Sequence, residues 1–73
     1  MSSKHAKRLQ TIASNISAIR KSKNLSQEDL AIKASISYSY LTKIEAPNCT
    51  ATFSIETFFD LADALEVDPK ELL

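Results

Sequence analysis

Four polar residues in the middle of the chain are the side chains best suited to recognise a partner through hydrogen bonds. They are Tyr38, Ser39, Thr42 and Lys43. They fill the remaining positions of a short helical pattern whose Leu41 and Ile44 mark the apolar side. All four can hydrogen-bond and none is acidic, which suits phosphates and the edges of nucleic-acid bases.

Each of these side chains has its own recognition chemistry. Lys43 can donate to guanine O6 and N7 or to a phosphate, and Ser39 can both donate and accept. The ring of Tyr38 can contact a thymine methyl group, or its hydroxyl can bond to a phosphate. Thr42 lies one turn further along the same pattern. The neighbouring Tyr40 points sideways, and it could equally pack against the following loop or the fourth helix or contact the DNA backbone.

Little in the sequence could support catalysis or hold a metal ion. His5 is the only histidine, and neither a set of metal ligands nor a nucleophile beside a base is present. The carboxylates of Glu56, Asp60 and Asp63 have the spacing of a solvated helix face. The lone Cys49 is better explained as a bystander thiol than as a redox centre. We expect no enzyme activity, no metal and no cofactor.

Length and composition limit the class of fold. The 73 residues suffice for one small domain with a modest core. The chain has no glycine and two prolines, so it lacks the turn residues that hairpins and barrels need. No apolar run is long enough to span a membrane, and a single cysteine is typical of a reducing compartment. We expect an all-α, cytoplasmic protein.

The charges are unevenly distributed although they sum to zero. Residues 1–48 carry a net charge of +5 and residues 49–73 a net charge of −5, counted from the lysines, arginines, aspartates and glutamates. Contact with phosphates requires local rather than global positive charge. The excess of positive charge coincides with the half that contains Tyr38 to Lys43. The distribution therefore favours a nucleic-acid partner over a simply solvated surface.

The apolar spacing predicts five helices. Their predicted ranges are 8–22, 27–33, 38–45, 55–65 and a short last helix from Pro69. Residues 1–7 are basic and polar, and we expect them to form a flexible tail. Ser26, Ser37 and Ser54 stand where an N-cap is needed, and Asp29 can complete a capping box with Ser26.

The second and third predicted helices are short and nearly adjacent, so residues 27–45 have the form of a helix-turn-helix. Such short helices are not stable alone and must pack on each other and on their neighbours. Ala31 is small enough to allow close approach, and Ile36 in the turn can fill the space between them. This arrangement presents the outer face of the third helix, as in proteins that insert a helix into the major groove of DNA.

The same region carries a family pattern. It consists of Gln27, Leu30-Ala31, Ala34, Ile36, Leu41 and Ile44-Glu45, and it continues upstream through Ile16, Ile19-Arg20-Lys21 and Asn24 to Ser26, and downstream through Ser54 to Phe58, Leu61-Ala62 and Ala64-Leu65. In these residues the chain resembles the phage repressor and Cro family of helix-turn-helix proteins, also called the xenobiotic-response-element type. The resemblance covers roughly residues 9 to 73. It implies a five-helix lambda-repressor-like DNA-binding domain.

The resemblance also implies roles for individual residues. Gln27 would donate to a phosphate beside the N-terminus of its helix, whereas without the family pattern it would be an ordinary exposed glutamine. Ser37 would cap the third helix and meet a phosphate. Arg20 and Glu45 would form a bidentate ion pair that fixes the angle of that helix. Short polar side chains in the following loop would reach the DNA backbone, namely Asn48, Thr50 and Thr52.

Two positions depart from the family pattern. Ser35 stands in the turn where the family usually has glycine, so a left-handed residue there costs about 1 kcal/mol. After Glu45 the chain continues with Ala46-Pro47-Asn48 instead of an early glycine, and the loop before Ile55 is longer than usual in the family. The longer loop weakens the expectation for backbone contacts there and leaves the docking of the third helix unaffected.

The first functional hypothesis is a sequence-specific transcriptional regulator with residues 38–45 in the major groove of double-stranded DNA. A palindromic operator and a homodimer are expected, because one small domain makes few contacts. The dimer would use the last helix and the exposed side of the fourth, where Phe59 has no evident inward role. The alternative hypothesis is a protein-interaction module or antitoxin whose acidic C-terminal half binds a protein.

Overall fold

The described part of the chain is helical throughout. The computed structural model describes residues 5–46 and 53–73. Its elements are four α-helices, α1 (Ala6–Ser22), α2 (Gln27–Ala34), α3 (Tyr38–Glu45) and α4 (Ile55–Leu65), followed by a single 3-10 turn (Pro69–Leu72). No strand occurs in these two ranges. The all-α prediction is confirmed.

The helix bounds differ from the predicted ones at three places. α1 begins at Ala6, so Ala6 and Lys7 belong to the helix and not to the expected tail. Both residue types are good helix formers, and nothing at these positions stops the helix from extending. α2 continues one residue further, to Ala34. The fifth predicted helix is a single 3-10 turn, since its backbone hydrogen bonds join residues three positions apart, as in short helical segments.

Serine side chains define where α2, α3 and α4 begin. Ser26 accepts from the backbone N–H of Asp29 and donates its own backbone N–H to the Asp29 carboxylate, each at 3.0 Å, which completes the predicted capping box. Ser37 accepts from the backbone N–H of Tyr40 at 3.0 Å, and Ser54 caps α4 in the same way. Each cap satisfies a backbone donor that would otherwise lack a partner.

Among the described residues, three adopt left-handed backbone conformations that glycine would normally take. Their φ angles are 57° at Asn24, 58° at Ser35 and 59° at Glu66. Ser35 stands where the departure from the family pattern implied such a conformation. Glu66 was not anticipated, because nothing in its residue type favours a left-handed conformation. Each of the three allows the chain to leave a helix and reverse direction.

The core lies where the helices meet. Every element contributes fully buried aliphatic side chains to it, and these are Ile16, Leu30, Leu41, Ile44, Leu61, Leu65 and Leu72. Burying each such side chain stabilises the fold by roughly 1.5–3 kcal/mol. Ala31, Ala34 and Ala62 are buried as well, which permits close approach between helices. α3 belongs to this core through Leu41 and Ile44, and it packs mainly against α2 and α1.

Candidate nucleic-acid interface

The third helix presents a polar outer face on an apolar support. Leu41 and Ile44 are completely buried, whereas Ser39 and Lys43 are exposed and Tyr38 is about half exposed at 51%. Thr42 is half-buried at the edge of this face. The structure thus places the predicted contact residues of α3 together on one accessible surface. Their side chains are available to a partner without any rearrangement of the core.

The hydroxyl of Thr42 has a restricted role on this face. It donates to the backbone carbonyl of Ser39 at 2.7 Å. Its hydrogen is therefore used within the helix, and its oxygen remains an acceptor. The exposed amino groups of adenine and cytosine are donors in the major groove. Thr42 is thus suited to accept from such an amino group, whereas Lys43 can only donate.

The turn between α2 and α3 holds the two helices close together. The backbone of Ser35 has a left-handed conformation. The next residue, Ile36, donates its backbone N–H to the carbonyl of Ala31 at 3.0 Å. The Ile36 side chain packs against the core as the sequence predicted. Tyr40 is half-buried and also packs partly against the core. The turn is consequently fixed on its inner side.

An ion pair joins the end of α3 to α1. The Arg20 Nε lies 2.9 Å from Glu45 Oε2 and 3.2 Å from Oε1, and Nη2 donates to Oε1 at 3.0 Å. The side chains of Arg20 and Glu45 are only 10% and 3% exposed. Nη1 also donates to the carbonyl of Leu25 at 2.8 Å, between α1 and α2. This fork geometry fixes the angle of α3 more firmly than a single point contact would.

Gln27 takes part in the same cluster, which the sequence did not indicate. Its side-chain Nε2 donates to Glu45 Oε1 at 3.2 Å, and the residue is half-buried. The two roles expected for Gln27, a phosphate donor or an ordinary exposed glutamine, did not include this bond. A bond between residues 18 positions apart depends on how two helices pack, and no local pattern encodes it. Gln27 remains at the first position of α2, where helix N-termini attract anions.

The surface charges follow the asymmetry of the sequence. Lys21, Lys33 and Lys43 are exposed on α1, α2 and α3, whereas Glu56, Asp60 and Asp63 are exposed on α4.

The pKa of the Asp29 carboxyl is lowered from its ordinary value, first by the hydrogen bond from the Ser26 backbone and then by the Ser26 side chain, with a smaller effect of Lys33. The capping bonds of α2 therefore stabilise the charged form of Asp29.

Other predicted site residues cannot be placed. Asn48 and Thr50, together with Cys49 and Thr52, lie outside the described residues, as does most of the predicted tail. Within residues 5–46 and 53–73, no three histidine, cysteine, aspartate or glutamate side chains gather where a metal ion could bind. None of the helices in the described ranges combines the length and apolar character needed to cross a bilayer.

Comparison with known proteins places this fold and face in a family. A family model described as helix-turn-helix matches residues 16–72. The chain therefore belongs to the helix-turn-helix family of the phage repressor and Cro type. It is a regulatory protein that binds double-stranded DNA and controls transcription.

One solved structure shows how closely the fold is shared. The chain is similar to the restriction-modification controller protein C.AhdI from Aeromonas hydrophila, with a TM-score of 0.84 and 30% sequence identity. The similarity covers 92% of this chain and 98% of that one. No curated protein sequence matches the chain.

Proposed function

We propose that the protein is a sequence-specific transcriptional regulator that binds a palindromic operator as a homodimer. The observation that carries this proposal is the orientation of α3, with Leu41 and Ile44 buried and Ser39 and Lys43 exposed. A helix supported in this way can enter the major groove and present donors and acceptors to base edges. The similarity to a restriction-modification controller supports a small regulator of that kind.

Individual residues receive distinct roles in this proposal. Tyr38, Ser39 and Lys43 contact base edges, and Thr42 accepts from a base amino group. Gln27 and Ser37 donate to phosphates from the N-terminal ends of α2 and α3, where helix N-termini favour anions. Asn48 and Thr50 extend the phosphate contacts beyond α3. These phosphate contacts position the protein, and the contacts of α3 provide the sequence preference.

The dimer is proposed to form through exposed apolar residues on the C-terminal half. Ile55 and Phe59, which lie one turn apart on α4, are 64% and 47% exposed. Leu73 is also exposed, and it lines an apolar groove together with Ile55 and Leu9. Contact between two such surfaces would remove them from water. Two copies of α3 would then read two half-sites.

The first test measures DNA binding directly. Fluorescence anisotropy with a random duplex should show binding that weakens steeply as salt rises, because lysine contacts release counterions from phosphates. Selection of binding sites from a random duplex pool should then return a two-fold symmetric sequence. Salt-insensitive or absent DNA binding, together with a protein bound to the acidic half, would favour the interaction-module alternative.

The second test changes the exposed polar residues of α3. Ser39→Ala and Lys43→Ala should each weaken binding to the selected operator about tenfold, because a good base contact contributes about 1–3 kcal/mol. The thermal midpoint should stay unchanged, since both residues are exposed. Lys70→Ala provides a matched control on the 3-10 turn, and it should bind as the parent does. Parent-like operator binding by both α3 variants would contradict the assignment of this helix.

The third test addresses the dimer. Phe59→Ser should shift the protein toward monomer in sedimentation velocity runs, and it should weaken binding to the full operator more than binding to an isolated half-site. Ile32→Ser is the control, because Ile32 is an equally apolar and even more exposed residue on α2. A Phe59→Ser variant that sediments and binds like the parent would exclude this surface as the dimer contact.

A further inference from the structure

The carboxylate of Glu45 connects helices α1, α2 and α3. Glu45, the last residue of α3, accepts from Arg20 of α1 and from Gln27 of α2. Both bonds reach the same oxygen, Oε1, at 3.0 Å from Arg20 Nη2 and 3.2 Å from Gln27 Nε2. The Glu45 side chain is only 3% exposed, so water competes weakly for these positions.

The bond to Glu45 uses part of the hydrogen-bonding capacity of Gln27. A primary amide nitrogen carries two N–H groups. One of them is directed at Glu45 Oε1, and the second remains for another acceptor. The side chain is also held in one orientation, so less rotamer freedom is lost when it meets a ligand. Gln27 is half-buried and therefore still reachable from solvent.

We propose that Gln27 is a positioning residue for α3 in addition to being a phosphate donor. One Nε2 hydrogen holds Glu45 at the end of α3, and the other donates to a DNA phosphate. The Gln27 amide thereby couples two things: contact with the sugar-phosphate backbone and the angle of α3. This inference rests on the proposed DNA-binding function, since it concerns how the same surface achieves selectivity.

The two roles of Gln27 have different consequences. A residue that only contacts a phosphate affects all sequences alike, so its loss weakens operator and random DNA by the same factor. A residue that also orients α3 affects the operator more, because base contacts need accurate placement. The ratio of operator affinity to random-duplex affinity therefore separates a phosphate contact from a positioning role.

The experiment compares this ratio between the parent protein and Gln27→Met, which keeps the length of the side chain and removes its donors. We expect random-duplex binding to fall slightly and the ratio to fall at least about threefold, since the loss of one phosphate contact alone leaves the ratio unchanged. Gln27→Asn, which keeps the amide but is one carbon too short to reach Glu45, should lower the ratio in the same way. Gln10→Met, on the exposed surface of α1, is the control.

A readout without DNA tests the bond itself. In the free protein, the Gln27 side-chain amide protons should exchange with solvent more slowly than those of exposed Gln10, and Glu45→Gln should reduce this protection. Equal loss of affinity on both duplexes, or unprotected Gln27 amide protons, would overturn the inference and leave the proposed function intact. Absence of salt-dependent DNA binding by the parent would overturn both.

Discussion

Helices α3 and α4 both begin with a serine N-cap, but different interactions fix them in the domain. Ser37 and Ser54 each accept from the backbone N–H three residues further on, at 3.0 Å and 3.1 Å. α4 then buries four residues, whereas α3 buries only Leu41 and Ile44 and depends on the ion pair at Glu45. A helix that must offer most of its surface to a partner has little apolar area left, so polar bonds fix its orientation.

The largest effect should come from removing one partner of the ion pair. Arg20→Met should lower the free energy of unfolding by about 3 kcal/mol, because the buried Glu45 charge loses its counterion. The double variant Arg20→Met/Glu45→Met should recover to within about 1 kcal/mol of the parent, since no buried charge is left unpaired. Urea denaturation measures both values. A double variant as unstable as the single one would show that packing of Arg20, rather than charge, is the cause.

A core truncation in α4 gives the matched case. Leu61→Ala should also cost about 3 kcal/mol, by opening a cavity beneath α4. Under conditions where both proteins are folded, Leu61→Ala should keep the parent's preference for operator over random DNA. The Arg20→Met/Glu45→Met protein should lose part of it. An equal change of this preference in the two variants would contradict the idea that polar bonds orient α3 whereas apolar packing holds α4.

The two serine caps allow the comparison at a smaller scale. Ser37→Ala and Ser54→Ala should each destabilise the domain by about 1 kcal/mol, because each leaves one backbone donor unsatisfied. Only Ser37→Ala should also weaken DNA binding, since Ser37 lies at the start of the reading helix. Thermal unfolding followed by circular dichroism gives the first quantity, and anisotropy titration gives the second. Equal binding losses would place both caps near the DNA.

The sequence predicted the helices themselves better than the links between them. The ranges of α3 and α4 coincide with the predicted ones, because each has a serine cap and a clear apolar period. The Arg20–Glu45 pair followed from the family resemblance and is present in the structure. The Gln27–Glu45 bond and the left-handed Glu66 were not foreseeable, because both depend on tertiary packing that no local spacing records.

The left-handed residues next to the two helices provide a still smaller test. Ser35→Gly before α3 and Glu66→Gly after α4 should each raise the free energy of unfolding by about 0.5 kcal/mol, since the relief of left-handed strain slightly exceeds the added freedom of the unfolded chain. Chemical denaturation measures the gain. A loss of stability at either site would mean that the side chain contributes more than its backbone conformation costs.

The smallest expected effect concerns the cap that supports α2 behind α3. Because the pKa of Asp29 is lowered in the folded protein, its charge adds stability above the ordinary aspartate pKa, and this contribution is lost as the pH falls through the lowered value. Asp29→Asn keeps the acceptor and removes the charge. Its stability should lie slightly below the parent's at neutral pH and converge with it in acid. A difference that stays constant with pH would exclude the charge as its source.

The side chain of Asn15 donates to the backbone carbonyl of Leu72 at 3.1 Å, across 57 positions of the chain. Closing so long a segment is entropically costly until the intervening helices are in place. Contact between α1 and the 3-10 turn should therefore form late during folding and be among the first to open. Hydrogen exchange at the Leu72 end of the domain would then report partial opening before α3 loses its orientation.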